Sequence, residues 1–144
     1  MTVIESVKTW LSGYEGLEEN APLWVDHIDG ATPGGYAIFS VPGNKIIEEY
    51  LDGGSLREFP FAFQSQELTT DELERLDNLG FFEAFSDWLE TQTNSDDMPD
   101  LGEGKTAIKI ETTNWAFLYK EGESNTGIYM IQCRLEYEQQ PLGE

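Results

Sequence analysis

His27 and Cys133 are the only imidazole and the only thiol in this chain. Thiol–imidazole pairs and Ser–His triads therefore have almost nothing to be built from. His27 stands between Asp26 and Ile28, and an imidazole beside a carboxylate is the raw material of a general base. No Ser or Cys lies locally for it to activate, so a surface or half-buried histidine is expected. Cys133 falls on the apolar face of the last strand-like run, where a thiol is usually inert core filler.

Oxygen ligands are more plentiful. Asn94, Asp96, Asp97, Asp100 and Glu103 crowd one segment, which is the raw material of a calcium site. Pro99 interrupts the run, however, and no glycine stands where a calcium loop needs its sharp turn, so a solvated acidic loop is expected there. Glu18-Glu19 and Glu48-Glu49 are adjacent carboxylates, and neighbours in a strand point to opposite faces, so neither pair can share one proton. Gly34-Gly35, Gly53-Gly54 and Gly102-x-Gly104 lack the Lys and the strand-to-helix setting of a phosphate cradle and read as turns. The reading is of a protein that is not an enzyme, with no catalytic residue, no cofactor and no metal ligand.

The elements that would position any site begin with Thr2 and Glu5, whose spacing is that of a capping box. Val3, Val7, Trp10 and Leu11 then recur at helical spacing over roughly residues 3–12, and Gly13 suits a left-handed cap. Pro22 to Ile28 reads as a strand, followed by turn signals at Asp29-Gly30 and Pro33-Gly34-Gly35. Tyr36 to Val41, Lys45 to Leu51 and Leu56 to Ser65 are three more strand-like runs, separated by Pro42-Gly43-Asn44 and Asp52-Gly53-Gly54. Such spacing predicts an antiparallel meander. Pro60 lacks a ladder donor, which predicts an edge or a bulge for the third run.

Thr69 and Glu72 repeat the capping-box spacing and open a long helix that ends near Gln92 to Asn94. Its expected buried stripe is Leu73, Leu76, Gly80, Phe81, Ala84, Phe85 and Trp88. Leu79 and Phe82 fall outside that stripe and are the candidate subunit-interface residues. After the acidic loop, expected to be mobile, Thr106 to Tyr119 reads as one strand with a bulge near Thr112 to Asn114. The last run alternates Tyr129, Ile131, Cys133, Leu135 and Tyr137 inward with Gln132, Arg134, Glu136 and Glu138 outward. Strands grouped rather than alternating with helices predict one α+β domain over residues 1–144: an antiparallel or mixed sheet of five to six strands with two helices on one face.

Eight Lys plus Arg against 28 Asp plus Glu leave a net charge of −20. That balance repels phosphate backbones and anionic headgroups, so neither stable nucleic-acid binding nor a membrane surface is expected. Four Trp, six Tyr and eight Phe supply ample core. No apolar run approaches the ~20 residues that cross a bilayer, and no signal-peptide pattern opens the chain, so a reducing cytoplasmic origin is expected.

Several local phrases, in order, resemble the tail-terminator (tail-completion) proteins of long, non-contractile-tailed bacteriophages, often labelled minor capsid proteins. They are Tyr36-Ala-Ile-Phe-Ser-Val-Pro42, Glu49-Tyr-Leu-Asp-Gly-Gly54, Arg57-Glu-Phe-Pro-Phe-Ala-Phe63, Asn78-Leu-Gly-Phe-Phe82 leading to Trp88, Met98-Pro-Asp-Leu101, and Gly127-Ile-Tyr-Met-Ile-Gln-Cys-Arg-Leu-Glu-Tyr137. The resemblance implies an α+β virion subunit that assembles with itself into a ring, a hexamer, on the tail-tube protein and meets the head-side connector. It implies a place at the head–tail junction of the virion and, during assembly, in the host cytoplasm, with no enzyme activity. The rival reading from charge is an acidic adaptor, or a nucleic-acid mimic that inhibits a basic partner. A carboxylate-only enzyme ranks last.

Overall fold

The computed structural model describes residues 1–28 and 34–143. The expected turn at Asp29-Gly30 and the Pro33 of the next turn lie outside the described residues. Two helices and seven strands follow in the order α1 (Val3–Leu11), β1 (Leu23–Val25), β2 (Tyr36–Ser40), β3 (Ile46–Glu49), β4 (Ser55–Leu68), α2 (Glu72–Asn94), β5 (Lys105–Thr112), β6 (Phe117–Glu121) and β7 (Thr126–Gln139). The fold is α+β with a mixed sheet, the parallel element being the β1–β2 pair. Seven strands replace the expected five to six because the run from Thr106 to Tyr119 is broken into β5 and β6.

β4 and β7 pair antiparallel over their whole length, from Ser55 opposite Gln139 to Leu68 opposite Thr126. β2 and β3 both lie along the outer edge of β4; β5 and β6 both lie along the outer edge of β7. The expected meander is therefore corrected. β2 and β3 follow one another along one strand instead of pairing together, and Pro42-Gly43-Asn44 carries the chain past Pro60, whose Cγ would stand only 2.7 Å from a Cβ at Gly43.

Pro60 is likewise in a central strand, contrary to expectation. The Glu58 N–H donates to the Lys45 carbonyl at 3.0 Å, and the Pro60 carbonyl accepts from the Val41 N–H at 3.3 Å. Position 60 thus turns its backbone toward the gap between the end of β2 and the start of β3, where no ladder partner is needed.

The inward faces of the strands meet both helices in one core. Tyr36, Ile38, Phe61, Phe63, Tyr129, Ile131, Cys133, Leu135 and Tyr137 are buried there with Val7 and Leu11 of α1 and Phe82, Phe85 and Leu89 of α2. The alternation expected for β7 is observed from Ile131 to Gln139, whereas Thr126 to Ile131 are buried on both faces. α1 begins as its sequence spacing predicts, with the Thr2 Oγ1 accepting from the Glu5 N–H at 3.2 Å and the Glu5 Oε1 accepting from the Thr2 N–H at 3.0 Å. Its end differs: Gly13 is not left-handed, and the helix unwinds through bonds from Gly13 N to Trp10 O and from Tyr14 N to Leu11 O.

α2 departs most from expectation. Asp71, not Thr69, caps it by accepting from the Glu74 N–H at 2.8 Å. The buried positions are Phe82, Phe85 and Leu89, with Phe81 and Trp88 half-buried, while Leu73 and Leu76 of the expected stripe are exposed. The buried direction is turned by about a third of a revolution from the expected one at 100° per residue. The aromatic cluster sets it: Phe85 stacks on Phe63 with centroids 4.5 Å apart, and Phe82 meets Phe63 at 5.8 Å. The first turns of α2 start where β4 stops, held by Asn78 Nδ2 donating to the Leu68 carbonyl, so their leucines do not reach the core.

Trp88 joins the helices, lying 4.7 Å from Trp10 and 4.5 Å from Tyr14 by ring centroids. The Trp10 Nε1 donates to the Asp97 carbonyl at 3.2 Å, and Leu101 is buried. The acidic loop expected to be mobile is thus tied to the core at two points. Trp88→Ala should cost about 3 kcal/mol, the low end for a large aromatic because the ring is only half-buried. Urea unfolding followed by circular dichroism measures this, and an unchanged midpoint would remove Trp88 from the core.

Candidate functional site

The residues with chemical potential are not brought together. His27 is exposed just past β1, with its ring edge-on to Trp24 at 5.4 Å. Cys133 is buried on the far side of the β4 ribbon from β1, and burial pushes its thiol far above the ordinary range, so the sulfur is inert. Within the acidic loop, Asp97 accepts from Gln92 Nε2 at 2.9 Å and Asp100 from the Gly102 N–H at 3.0 Å. These carboxylates build turns, and among the described residues no group of three or more His, Cys, Asp or Glu could hold a metal ion.

Glu67 is the carboxylate with the most unusual surroundings. It lines a recess of about 370 Å³ with Glu18, Glu74 and Asp77. Burial raises its pKa, Glu18 adds to the rise, and a hydrogen bond from the Ser65 hydroxyl offsets part of it. A carboxyl whose folded pKa lies above its unfolded value contributes its stability below the unfolded value and loses it as pH rises through the folded one. Glu67→Gln should therefore raise the melting temperature at pH 7, and the gain should shrink as pH falls into the carboxylate range. Calorimetry at several pH values checks the sign; a gain that grows toward acid would reverse it.

A concave surface lies between α2 and the corner that joins β5 to β6. It is a groove of about 540 Å³ whose walls are Leu79, Glu83 and Ser86 on the helix and Thr112 to Ala116 on the corner, with Phe82 and Ile131 below. Both candidate interface residues thus meet in one place, with different roles. Leu79 is 40% exposed, whereas Phe82 is fully buried, packed edge-on against Phe81 and Phe63. The expectation that Phe82 projects off the buried face is corrected: it is the floor of the groove, and Phe82→Asp would place a charge in the core.

The sequence explains the corner. After Thr112 the strand pattern stops, but the ladder to β7 is completed in another way. The Thr113 N–H donates to the Gln132 carbonyl, and the Gln132 N–H donates to the Asn114 side-chain oxygen, both at 2.8 Å. Ser86 and Thr112 hydroxyls lie 2.6 Å apart and pin the helix to the strand at the groove's end. Trp115 is then thrown out into solvent, 79% exposed.

From the groove, the exposed leucines Leu79, Leu76 and Leu73 climb α2 at three-residue spacing, Leu76 being 60% exposed. Their surroundings are acidic: Glu72, Asp77 and Glu83 are exposed beside them, and the one cation of the helix, Arg75, donates to the Thr69 carbonyl at 2.9 Å. Sequence reasoning missed Trp115, Leu73 and Leu76. The Thr-Thr-Asn break before Trp115 was the available signal for the first. Among the described residues no helix is long and apolar enough to cross a membrane.

Comparison with protein-family models finds none that matches this chain, and comparison with curated proteins finds no matching relative.

Phe82→Ala should destabilise the fold by about 3–5 kcal/mol, whereas Trp115→Ser should move stability by less than about 0.5 kcal/mol. Denaturant titration of the two variants separates floor from rim; equal losses would mean that Trp115 is packed.

Proposed function

We propose that this chain is a virion structural protein that caps the tube of a long, non-contractile phage tail as a ring and presents the head-side connector with a joining surface. The order of sequence phrases from Tyr36 to Tyr137 motivates the reading, and the observation that carries it is the unlike character of the two sheet edges. At one end of the sheet the strands run β3-β4-β7-β5, each antiparallel to the next. β3 and β5 are therefore antiparallel to each other on opposite edges. A second copy placed head-to-tail brings its β5 beside β3 in antiparallel orientation, as a continuing sheet requires.

The side chains fit the same arrangement. β3 exposes Ile46, Ile47, Glu48 and Glu49; β5 exposes Ile108 and Lys109, with Lys105 at its start. Two-fold pairing of β5 with β5 about Ala107 would oppose Lys105 to Lys109, which is unfavourable, whereas two-fold pairing of β3 with β3 would set Glu49 opposite Ile46 and gain no charge pair. Head-to-tail contact opposes unlike charges and is heterologous, the type that closes into rings. Each edge is short and carries a register shift, so the contact rests on side chains more than on a long ladder. The wider charge of −20 lets DNA pass a ring without sticking to it.

Electron microscopy of phage particles made without this chain should show separated heads and tails, with tails of irregular length; normal joined particles would overturn the reading. In solution, Glu48→Lys with Glu49→Lys should abolish the ring, and so should Lys105→Glu with Lys109→Glu. An equal mixture of the two double variants should restore rings in which the two alternate, because every contact between unlike copies again opposes unlike charges. Light scattering behind size exclusion reads the masses, and unaffected association in both double variants would place the contact elsewhere.

A further inference from the structure

We infer that the groove beside α2 is a docking site for an amphipathic helix of another protein, one whose apolar stripe is flanked by Lys and Arg. This goes beyond self-association, which uses the sheet edges. Three observations select that occupant over others.

The first is the shape of the apolar surface. Leu73, Leu76 and Leu79 form one i, i+3 row that runs into the groove floored by Phe82 and rimmed by Trp115. Such a ridge packs into the furrow between the ridges of a second helix. From Leu73 to Ser86 the row and groove span about 20 Å at 1.5 Å per residue, the length of a partner helix of about three to four turns.

The second concerns hydrogen bonding. A strand would need unpaired backbone donors and acceptors along the wall, and at this corner the ladder groups are already used by Thr113, Asn114 and Gln132. A helix brings its own backbone bonds and asks for none.

The third is charge. Glu72, Asp77 and Glu83 border the leucines, and Arg75 is turned to the Thr69 carbonyl. A second copy of this chain would lay the same acidic border against itself, which like-charge repulsion opposes. A partner with cationic flanks gains from the same border.

The test uses three synthetic peptides and the full chain. One is a helix-forming peptide with Leu at i, i+3, i+4 and i+7 and Lys or Arg on both flanks; the second replaces those cations with Glu; the third scrambles the first so that composition and charge are kept and the stripe is lost. Calorimetry and the blue shift of tryptophan emission report binding. The cationic amphipathic peptide should bind at least about tenfold tighter than the other two, with affinity falling as salt rises from ~50 mM to ~500 mM. Leu76→Asp and Trp115→Ala, both exposed positions, should each weaken it about tenfold or more, while circular dichroism and the ring mass stay unchanged. Equal binding of the scrambled peptide would show charge attraction alone and overturn the inference. So would binding that survives both substitutions, or a stoichiometric homodimer that Leu76→Asp abolishes. A ring that fails to form while the peptide still binds would count against the tail-cap reading and leave the groove intact.

Discussion

Every strand in this protein takes its place from the long antiparallel pairing of β4 with β7, which runs without a register shift from Ser55 opposite Gln139 to Leu68 opposite Thr126. A slip of one residue in that pairing would turn either Phe61 and Phe63 or Ile131 and Leu135 away from the helices, so core burial and register enforce one another. Four of the remaining strands are short because each shares an edge of the ribbon with another, β2 with β3 on one side and β5 with β6 on the other, while β1 pairs with β2. Both edges consequently have an interruption. On one side Pro60 fills it at no cost in backbone bonds, and on the other the Asn114 side chain replaces the missing strand.

The groove is a product of that second interruption. Were β5 and β6 continuous, the chain would pass straight under α2 and Trp115 would lie within a strand. Instead the corner stands off from the helix, and Phe82 and Ile131 form the floor of the space between them. The charge distribution follows the same division of the sheet. Lys105, Lys109, Lys120 and Arg134 all lie on β5, β6 and β7, half of the eight basic residues of the chain. The exposed side of α2 is left strongly acidic, while on the opposite edge Glu48 and Glu49 stand beside Lys45 and Arg57. Arg134 is committed locally, 2.5 Å from Glu111 by its nearest atoms, and holds that carboxyl below its usual range.

Local rules reached far in this sequence where one face of an element meets one environment. The Thr2–Glu5 box, the alternation of β7 and the grouping of strands into an α+β fold were all readable, because each depends on neighbours in sequence. The core membership of Phe61, Phe63, Ile131 and Leu135 followed from the same periodicity. What could not be read depended on distant contacts. A helix with apolar residues around most of its circumference has several stripes of similar width, and only the position of Phe63 decides that Phe82 rather than Leu73 or Leu76 is buried. The meander failed for a related reason: a turn sequence announces that the chain bends, while the available edge of β4 decides which strand it meets next. Of the groove, Leu79 and Phe82 were legible as an unusual pair, but their division into rim and floor was not.

The Asn114 bond has a mechanical consequence. In an ordinary sheet, shifting an edge segment leaves a bare amide on its neighbour, and the cost of that orphan couples the edge to the interior. Here the Gln132 amide is served by a side chain anchored ahead of Trp115. Residues from Trp115 to Ala116 can change conformation while the interior strand keeps its bond, so the rim of the groove can adjust to what it holds without transmitting strain to the ribbon.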